Sequence, residues 1–308
     1  MHLTLQQLKL FEAVSRNSSY TRAAEELHLT QPAVSIQVKR LQEQVGMPLF
    51  EQVGKTISPT NAGRILYQTS VEILKKVSDL DTSIEELKGL VKGPLQISLV
   101  STTKYFMPLL LGHFLQAYPD VEPHLKFTNR ARTVEHLIKN QGDFVVMGQT
   151  PEESNLQAYP FLENIVVVVA PPDHELAGKK NITLKELAKH RFVEREPGSG
   201  TRQTFDRLME GHNLKVEPYM ELGSSEAIKQ AVIAGLGLGV LSRYSLDLEL
   251  FAEKLVILDV KQFPIKRRWY AVHVKGKQLS LVAQTFLDFI IDDSRGILQR
   301  LGHWSMQE

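Results

Sequence analysis

The chain has 308 residues, 43% hydrophobic and 23% charged, with a formal net charge of +1 and no cysteine. That length and balance predict two or three ordinary globular domains, and the missing cysteine excludes a disulfide scaffold, a thiol nucleophile and any cysteine-ligated metal site. The opening residues carry no basic-then-apolar signal, and the longest uncharged apolar runs, Ile165 to Pro172 and Ala231 to Leu241, fall far short of a membrane span, so a cytoplasmic protein without a membrane partner is expected.

Leu3 to Asn17 reads as a first helix with Leu5, Leu8, Phe11 and Val14 on its inner face. A second, from Thr21 to Leu27, has a small inner face of Ala23, Ala24 and Leu27. The chain then turns through His28-Leu29 into a third helix. Thr30 is placed to cap it, and Pro32 falls in its first turn, where a missing N–H costs little. Val34, Val38, Leu41 and Val45 make one face. The other carries Gln31, Ser35, Gln37, Lys39 and Arg40, side chains suited to base edges and phosphates. An amphipathic hairpin in some other core has the same periodicity; the Ala23-Ala24 pair favours two closely crossed helices that bind DNA.

Gly46 and Pro48 end that helix. Leu49 to Val53 and Thr56 to Pro59 then read as two short strands around Gly54-Lys55, a hairpin with a basic tip. Lys55 suits a phosphate or a minor groove, and equally a solvated turn. Thr60 caps a long helix to about Leu87, whose Leu66, Ile73, Val77, Leu80, Ile84 and Leu87 follow a heptad seam, with Ser70 in one gap and Val91 in phase beyond. A seam of roughly 40 Å favours a partner helix from a second copy over packing on its own chain.

Gly93-Pro94 closes a linker, and strands and helices alternate beyond it. Strands are read at Leu95–Val100, Val121–Phe127, Asp143–Met147, Ile165–Ala170, Phe192–Val193, Tyr219–Leu222, Gly239–Leu241 and Arg268–Val274. Helices are read at Tyr105–Gln116, Ala131–Asn140, Leu184–Ala188, Thr201–Glu210, Ser225–Ala234 and Leu279–Ile291. The order predicts α/β folding with mainly parallel sheets, arranged as two similar lobes.

Several strand-to-helix turns carry small polar residues: Ser101-Thr102-Thr103-Lys104, Thr128-Asn129, Gly148-Gln149-Thr150, Gly198-Ser199-Gly200-Thr201-Arg202 and Gly223-Ser224-Ser225. Ligands of open α/β sheets bind beyond the carboxyl ends of the strands, where helix N-termini favour anions. Each turn alone is an ordinary helix cap; together with Lys104 and Arg202 they point to a small acidic or phosphorylated ligand. Gly198 to Thr201 lacks the Gly-Lys-Ser/Thr ending of a nucleotide P-loop, and Gly235-Leu236-Gly237-Leu238-Gly239 lies between helix and strand, the wrong order for a dinucleotide fingerprint. No nucleophile elbow or zinc-protease motif is present and the ten histidines are scattered, so no enzyme, metal or cofactor is expected.

Over essentially its whole length the chain resembles a LysR-type transcriptional regulator, most strongly in Ala23 to Ser35, Pro48-Leu49-Phe50 and Thr60-Asn61-Ala62-Gly63. Met1 to Leu5 and Leu49 to Lys55 are similar to the regulators of carbon-fixation (ribulose bisphosphate carboxylase) operons. The resemblance implies an α+β multidomain protein: a winged helix-turn-helix at 1–62, a dimerising linker helix and hinge at 63–92, and a two-lobed effector domain of periplasmic-binding-protein type at 93–300. The lobes are expected at 93–163 with 268–300 and at 164–267, and a tail at 301–308.

It further implies a cytoplasmic tetramer on an interrupted palindrome in double-stranded DNA, an activator acting with RNA polymerase. The expected effector is a phosphorylated sugar or reduced nicotinamide nucleotide. Carried over by position, Thr30, Gln31, Pro32, Ser35 and Lys55 meet DNA. Many members have a base after that serine; here it is Ile36, which suits a thymine methyl, leaving Lys39 or Arg40 to supply the basic contact. Ser101, Thr102, Thr103, Lys104, Thr128, Asn129, Gln149, Ser199, Thr201, Arg202 and Ser224 line the expected cleft. The alternatives are a regulator of another metabolic operon with an organic-acid effector, and a solute-binding protein, which shares the lobes but needs an export signal and no helix-turn-helix.

Overall fold

The computed structural model describes residues 3–53, 56–87, 89–151 and 155–300. It divides into two compact units, Met1–Gly89 and Leu90–Glu308.

In the first unit, α1 (Leu5–Asn17) starts on a capping box in which the Thr4 hydroxyl accepts from the Gln7 N–H and the Gln7 side chain accepts from the Thr4 N–H. Helices α2 (Tyr20–Glu26) and α3 (Gln31–Val45) follow. Val14, Ala23, Ala24, Val34 and Val38 form one core cluster of these helices; Phe11, Leu41 and Leu49 form a second. Alanines at positions 23 and 24 let α2 lie close against its neighbours. Gly46 ends α3 in the left-handed conformation, φ 74°. Thr30 stands at the N-cap of α3 with extended backbone, but its hydroxyl makes no capping bond. Pro32 removes one of the two N–H groups, the second and third of the helix, that a capping side chain bonds; the third, on Ala33, remains.

Strands β1 (Phe50–Val53) and β2 (Thr56–Pro59) pair antiparallel, Phe50 opposite Pro59. The hairpin is tied to α3 by Gln42, whose side-chain oxygen accepts from the N–H groups of Leu49 (2.9 Å) and Phe50 (3.3 Å). Thr60 caps α4 (Asn61–Leu87): the Gly63 N–H donates to its hydroxyl oxygen at 3.1 Å. Along α4, Ser70 is buried, whereas Leu80 and Ile84 are 59% and 44% exposed, so the distal seam lacks cover within one chain.

The second unit is built on one nine-stranded sheet. In chain order its elements are β3 (Gly93–Val100), a 3-10 turn (Ser101–Tyr105), α5 (Met107–Ala117), β4 (Val121–Thr128), α6 (Arg130–Ile138), β5 (Phe144–Met147) and β6 (Leu156–Ala170). They continue with α7 (Leu184–Leu187), β7 (Phe192–Arg195), α8 (Gly200–Gly211), β8 (Met220–Leu222), α9 (Ser225–Ile233) and β9 (Leu238–Ser242). The unit ends with α10 (Asp247–Phe251), β10 (Val256–Ile257), β11 (Ile265–Val274) and α11 (Leu281–Arg300). The order is β4-β3-β5-β11-β6-β9-β7-β8, with β10 beside β6.

The sheet is mainly parallel only at its two ends, within β4-β3-β5 and within β9-β7-β8. At its centre β6 and β11 run antiparallel to each other and to β5 and β9, which corrects the mainly parallel expectation. Strand β6 has 15 residues; its first part pairs β11 as far as Val166, and its last part pairs β9 and β10. Sequence reading found only its apolar end from Ile165, because the first part alternates and is partly exposed. Each end of the sheet has its own core, one around Leu99, Phe106, Phe114 and Phe286, the other around Val166, Phe192, Phe205 and Leu238. Two halves therefore share β6 and β11 as connectors. The helix expected from Tyr105 begins instead at Met107, after a break at Phe106 (φ −131°), because Pro108 in its first turn has no N–H to continue the preceding turn.

Candidate functional site

Two faces of the chain carry chemistry. On α3, Thr30, Gln31, Pro32, Lys39 and Arg40 are exposed, Ser35 is half-buried, and Ile36 is 53% exposed. Val34, Val38 and Leu41 anchor the opposite side. A 15-residue helix with one polar, partly basic face free of ion pairs among the described residues has the dimensions to enter a major groove. Lys55 lies outside the described residues.

The second face is a cleft between the halves of the second unit, with about 380 Å³ of empty space when the part open to solvent is counted. Of the cleft residues expected from sequence, Ser101, Thr102, Asn129, Gln149, Ser199 and Thr201 line it. Thr103 does not; it is buried, with its hydroxyl donating to the Val100 carbonyl at 2.8 Å. Thr128 also lies off the lining. The Ser224 hydroxyl is taken up capping α9, accepting from the Ala227 N–H at 3.1 Å. Lys104 faces Glu226 at 3.8 Å. Arg202 is turned away as well, held by Glu221 (2.5 Å), Glu194 (3.4 Å), Asp206 (3.6 Å) and the Arg195 carbonyl. Its donors are committed to these acidic side chains and the Arg195 carbonyl, and it does not line the cavity.

Three other guanidinium groups line the cavity instead: Arg130, Arg195 and Arg267. Arg195, 4% exposed, is held by Glu196 in a two-pronged pair (2.7 and 2.9 Å) and donates to Ser101 of the opposite half at 3.1 Å. Arg267 donates to the carbonyls of Gly148 (2.7 Å) and Gly200 (3.0 Å) and to the Thr204 hydroxyl. Burial, then the nearby Arg130 and Arg207, push its guanidinium down to about 10. Burial and Arg207 lower Arg130 too. Sequence carried one overlooked signal: Arg130 opens α6, where the positive end of the helix dipole disfavours a cation unless an anion is to be bound. Arg267, inside Lys266-Arg267-Arg268, reads as a solvated strand, and only its neighbours across the sheet make it a cavity residue.

Outside the cavity lining, a second set of contacts joins the two halves. The Tyr105 hydroxyl donates to Glu226 at 2.6 Å, and buried Lys229 bridges Glu226 (3.0 Å) and Glu249 (2.9 Å) beneath the Tyr105 ring. Behind the cavity, both carboxyl oxygens of Glu194 are buried without a hydrogen-bond partner. Burial and the neighbouring Asp206 push this carboxyl up to about 7, with Glu221 adding to the effect and Arg202 opposing it. Between its ordinary 4.5 and about 7 the folded form therefore keeps a proton that the unfolded chain has released. Stability of the regulatory unit is expected to fall as pH rises through that window and level off above it, by on the order of 1 kcal/mol once water screening is allowed for. Melting curves of wild type and Glu194→Gln at pH 5 and 7.5 check this; the variant should lose the difference.

Residues 5–64 match the model of the bacterial regulatory helix-turn-helix proteins of the lysR family, and residues 88–295 match the LysR substrate binding domain. The chain belongs to the LysR family. It is a DNA-binding transcription regulator and not an enzyme. This LysR-type chain is 44% identical over 302 residues to the RuBisCO operon transcriptional regulator of Allochromatium vinosum, covering 98% of the chain and 100% of that relative. It is 46% identical over 289 residues to the regulator of the same name from Acidithiobacillus ferrooxidans, covering 94% of each. Among solved structures, the regulatory domain of CcmR from Synechocystis, in complex with 2-PG, is 45% identical with a TM-score of 0.64; the match covers 66% of this chain and 98% of that one. Among the described residues no helix is long and apolar enough to cross a membrane, and no group of residues is arranged to hold a metal.

Proposed function

We propose that this LysR-type regulator activates a carbon-fixation operon and is controlled by a small phosphorylated or otherwise anionic metabolite held between the halves of its regulatory unit. The observation that carries the effector part is the cavity lined by three guanidinium groups and no carboxylate. The names of the relatives, and the 2-PG bound to CcmR, support the operon and the ligand class. In this reading 1–62 binds DNA, 63–92 joins two copies along the uncovered seam of α4, and two dimers form a cytoplasmic tetramer on an interrupted palindrome beside RNA polymerase. Ligand binding shifts the equilibrium between two arrangements of the halves and so changes the spacing of the DNA-binding heads.

Footprinting on a ribulose bisphosphate carboxylase promoter, with and without 2-phosphoglycolate, ribulose 1,5-bisphosphate or NADPH, tests this. A footprint that changes with a phosphorylated ligand is expected. A response only to a non-phosphorylated organic acid, or binding to an unrelated metabolic promoter alone, would replace this reading with a different operon and effector. In the same assay Gln31→Ala should relax base preference by about 1–3 kcal/mol; unchanged selectivity would remove Gln31 as a base-reading residue.

A further inference from the structure

The three cavity arginines are not equivalent. Arg195 arrives with its counter-ion, Glu196, and spends its remaining donors on Ser101 and Ser225. Arg267 has no counter-ion among the described residues, yet its donors are occupied by the neutral oxygens of Gly148, Gln149, Gly200 and Thr204. Arg130 has neither: no hydrogen bond or ion pair reaches it among the described residues, and its Nε is buried without a partner. Its side chain extends from the start of α6 in one half to the start of α8 in the other, where a Cβ added to Gly200 would lie in ordinary contact with the Arg130 Cδ, 3.5 Å away.

The surroundings add no negative charge. No aspartate or glutamate lines the cavity, and the neighbouring Arg207 is a further cation. Ser199, the buried N-cap of α8, makes no capping bond, so the first N–H groups of that helix also want an acceptor. The indole N–H of Trp269, another lining residue, is buried without a partner as well. Burying a guanidinium without a counter-charge is expensive, and each donor left unpaired adds to the cost. A monoanion neutralises only one of the two uncompensated guanidinium groups. A phosphoryl group carries close to two negative charges at neutral pH and several acceptor oxygens.

Resting on the assignment of this cavity as the effector site, we propose that Arg130 is the specificity residue that makes the cleft prefer phosphorylated ligands over carboxylates of the same skeleton that lack the phosphoryl group. Arg267 fixes one wall of the site and Arg195 links its halves; of the three arginines only Arg130 keeps its side-chain donors free of partners among the described residues. Its bridging position means that a phosphoryl group bound there touches both halves at once.

The test is isothermal titration of the full-length protein with 2-phosphoglycolate and with glycolate, which share a skeleton and differ in the phosphoryl group. Wild type is expected to bind the phosphorylated compound at least about 100-fold more tightly. Arg130→Gln should weaken 2-phosphoglycolate by about 10–100-fold and leave glycolate unchanged, while Arg130→Lys, which keeps the charge but not the fork, recovers part of the loss. Equal weakening of both ligands would mean that Arg130 only shapes the cleft, and an unchanged 2-phosphoglycolate affinity would mean that it does not touch the ligand; either overturns the proposal while leaving the effector site standing. If wild type binds neither compound, the effector-site assignment falls and the proposal falls with it. Melting curves of both variants without ligand establish that they are folded, and a loss of binding confined to an unfolded Arg130→Gln is resolved by the Arg130→Lys titration, where retained discrimination supports the proposal and its absence overturns it.

Discussion

Gly63→Ala is expected to destabilise the N-terminal unit by at least about 3 kcal/mol and to abolish operator binding at ordinary growth temperatures. A Cβ on Gly63 would lie 2.1 Å from the carbonyl oxygen of Leu49 and 3.1 Å from Pro59 Cβ. The obstacle is backbone, and it cannot rotate away. The same carbonyl accepts from the Thr60 N–H at 3.0 Å, so moving it also breaks the closure between the hairpin and the start of α4. Leu49 itself is fully buried beside Phe11 and Leu41, which removes the remaining route for relaxation. Thermal denaturation and operator titration measure both effects. Gly112→Ala provides the control: it replaces a helical glycine whose added Cβ meets nothing within 4 Å, and should stabilise by up to about 1 kcal/mol. If the two variants melt alike, the close approach at Gly63 is not the constraint described.

The second large effect is at Arg195. Arg195→Met should lower the melting temperature of the regulatory unit by roughly 6–12 °C and abolish the response to effector. Removing the guanidinium strands the Glu196 carboxylate, which has no other partner of opposite charge among the described residues, and cuts the bond from Arg195 to Ser101 across the halves. Breaking a buried pair costs about 3–5 kcal/mol; Glu196 retains some contact with water, which places the loss near 3 kcal/mol. Adding Glu196→Gln removes the stranded charge and should restore part of the melting temperature, but not the effector response. Full recovery of both would show that Arg195 acts only as a counter-ion for Glu196.

The DNA-binding half was largely legible in the sequence because its signals are local. The spacing of Val34, Val38 and Leu41 fixes which face of α3 is inward, and Gly46 and Pro48 fix where the helix stops. The Thr60-Asn61-Ala62-Gly63 motif was recognisable too, although its reason, the approach of Gly63 to Leu49, needed the packed hairpin. The cavity was legible only in part. Small polar residues at strand ends marked Ser101, Asn129, Gln149 and Thr201, since those positions follow from strand-to-helix order. The charged residues did not follow. Arg202 looked like the anion ligand because it sits in the first turn of α8, but Glu194 and Glu221 converge on it from β7 and β8. Arg267 comes from β11, more than a hundred residues from Gly148 in sequence, and meets it only across the sheet.

By itself, then, the sequence determined the family, the helix-turn-helix and its outward face, the hairpin, the seam of α4 and the α/β alternation, all of which depend on periodicity and on the backbone limits of glycine and proline. Only the tertiary structure decided the antiparallel centre of the sheet, the contact between Tyr105 and Glu226 across the halves, and which of the arginines are neutralised. The physical reason is range. Secondary structure is written in residues three or four positions apart, whereas the charge state of a cleft is set by partners that the fold brings together from distant strands.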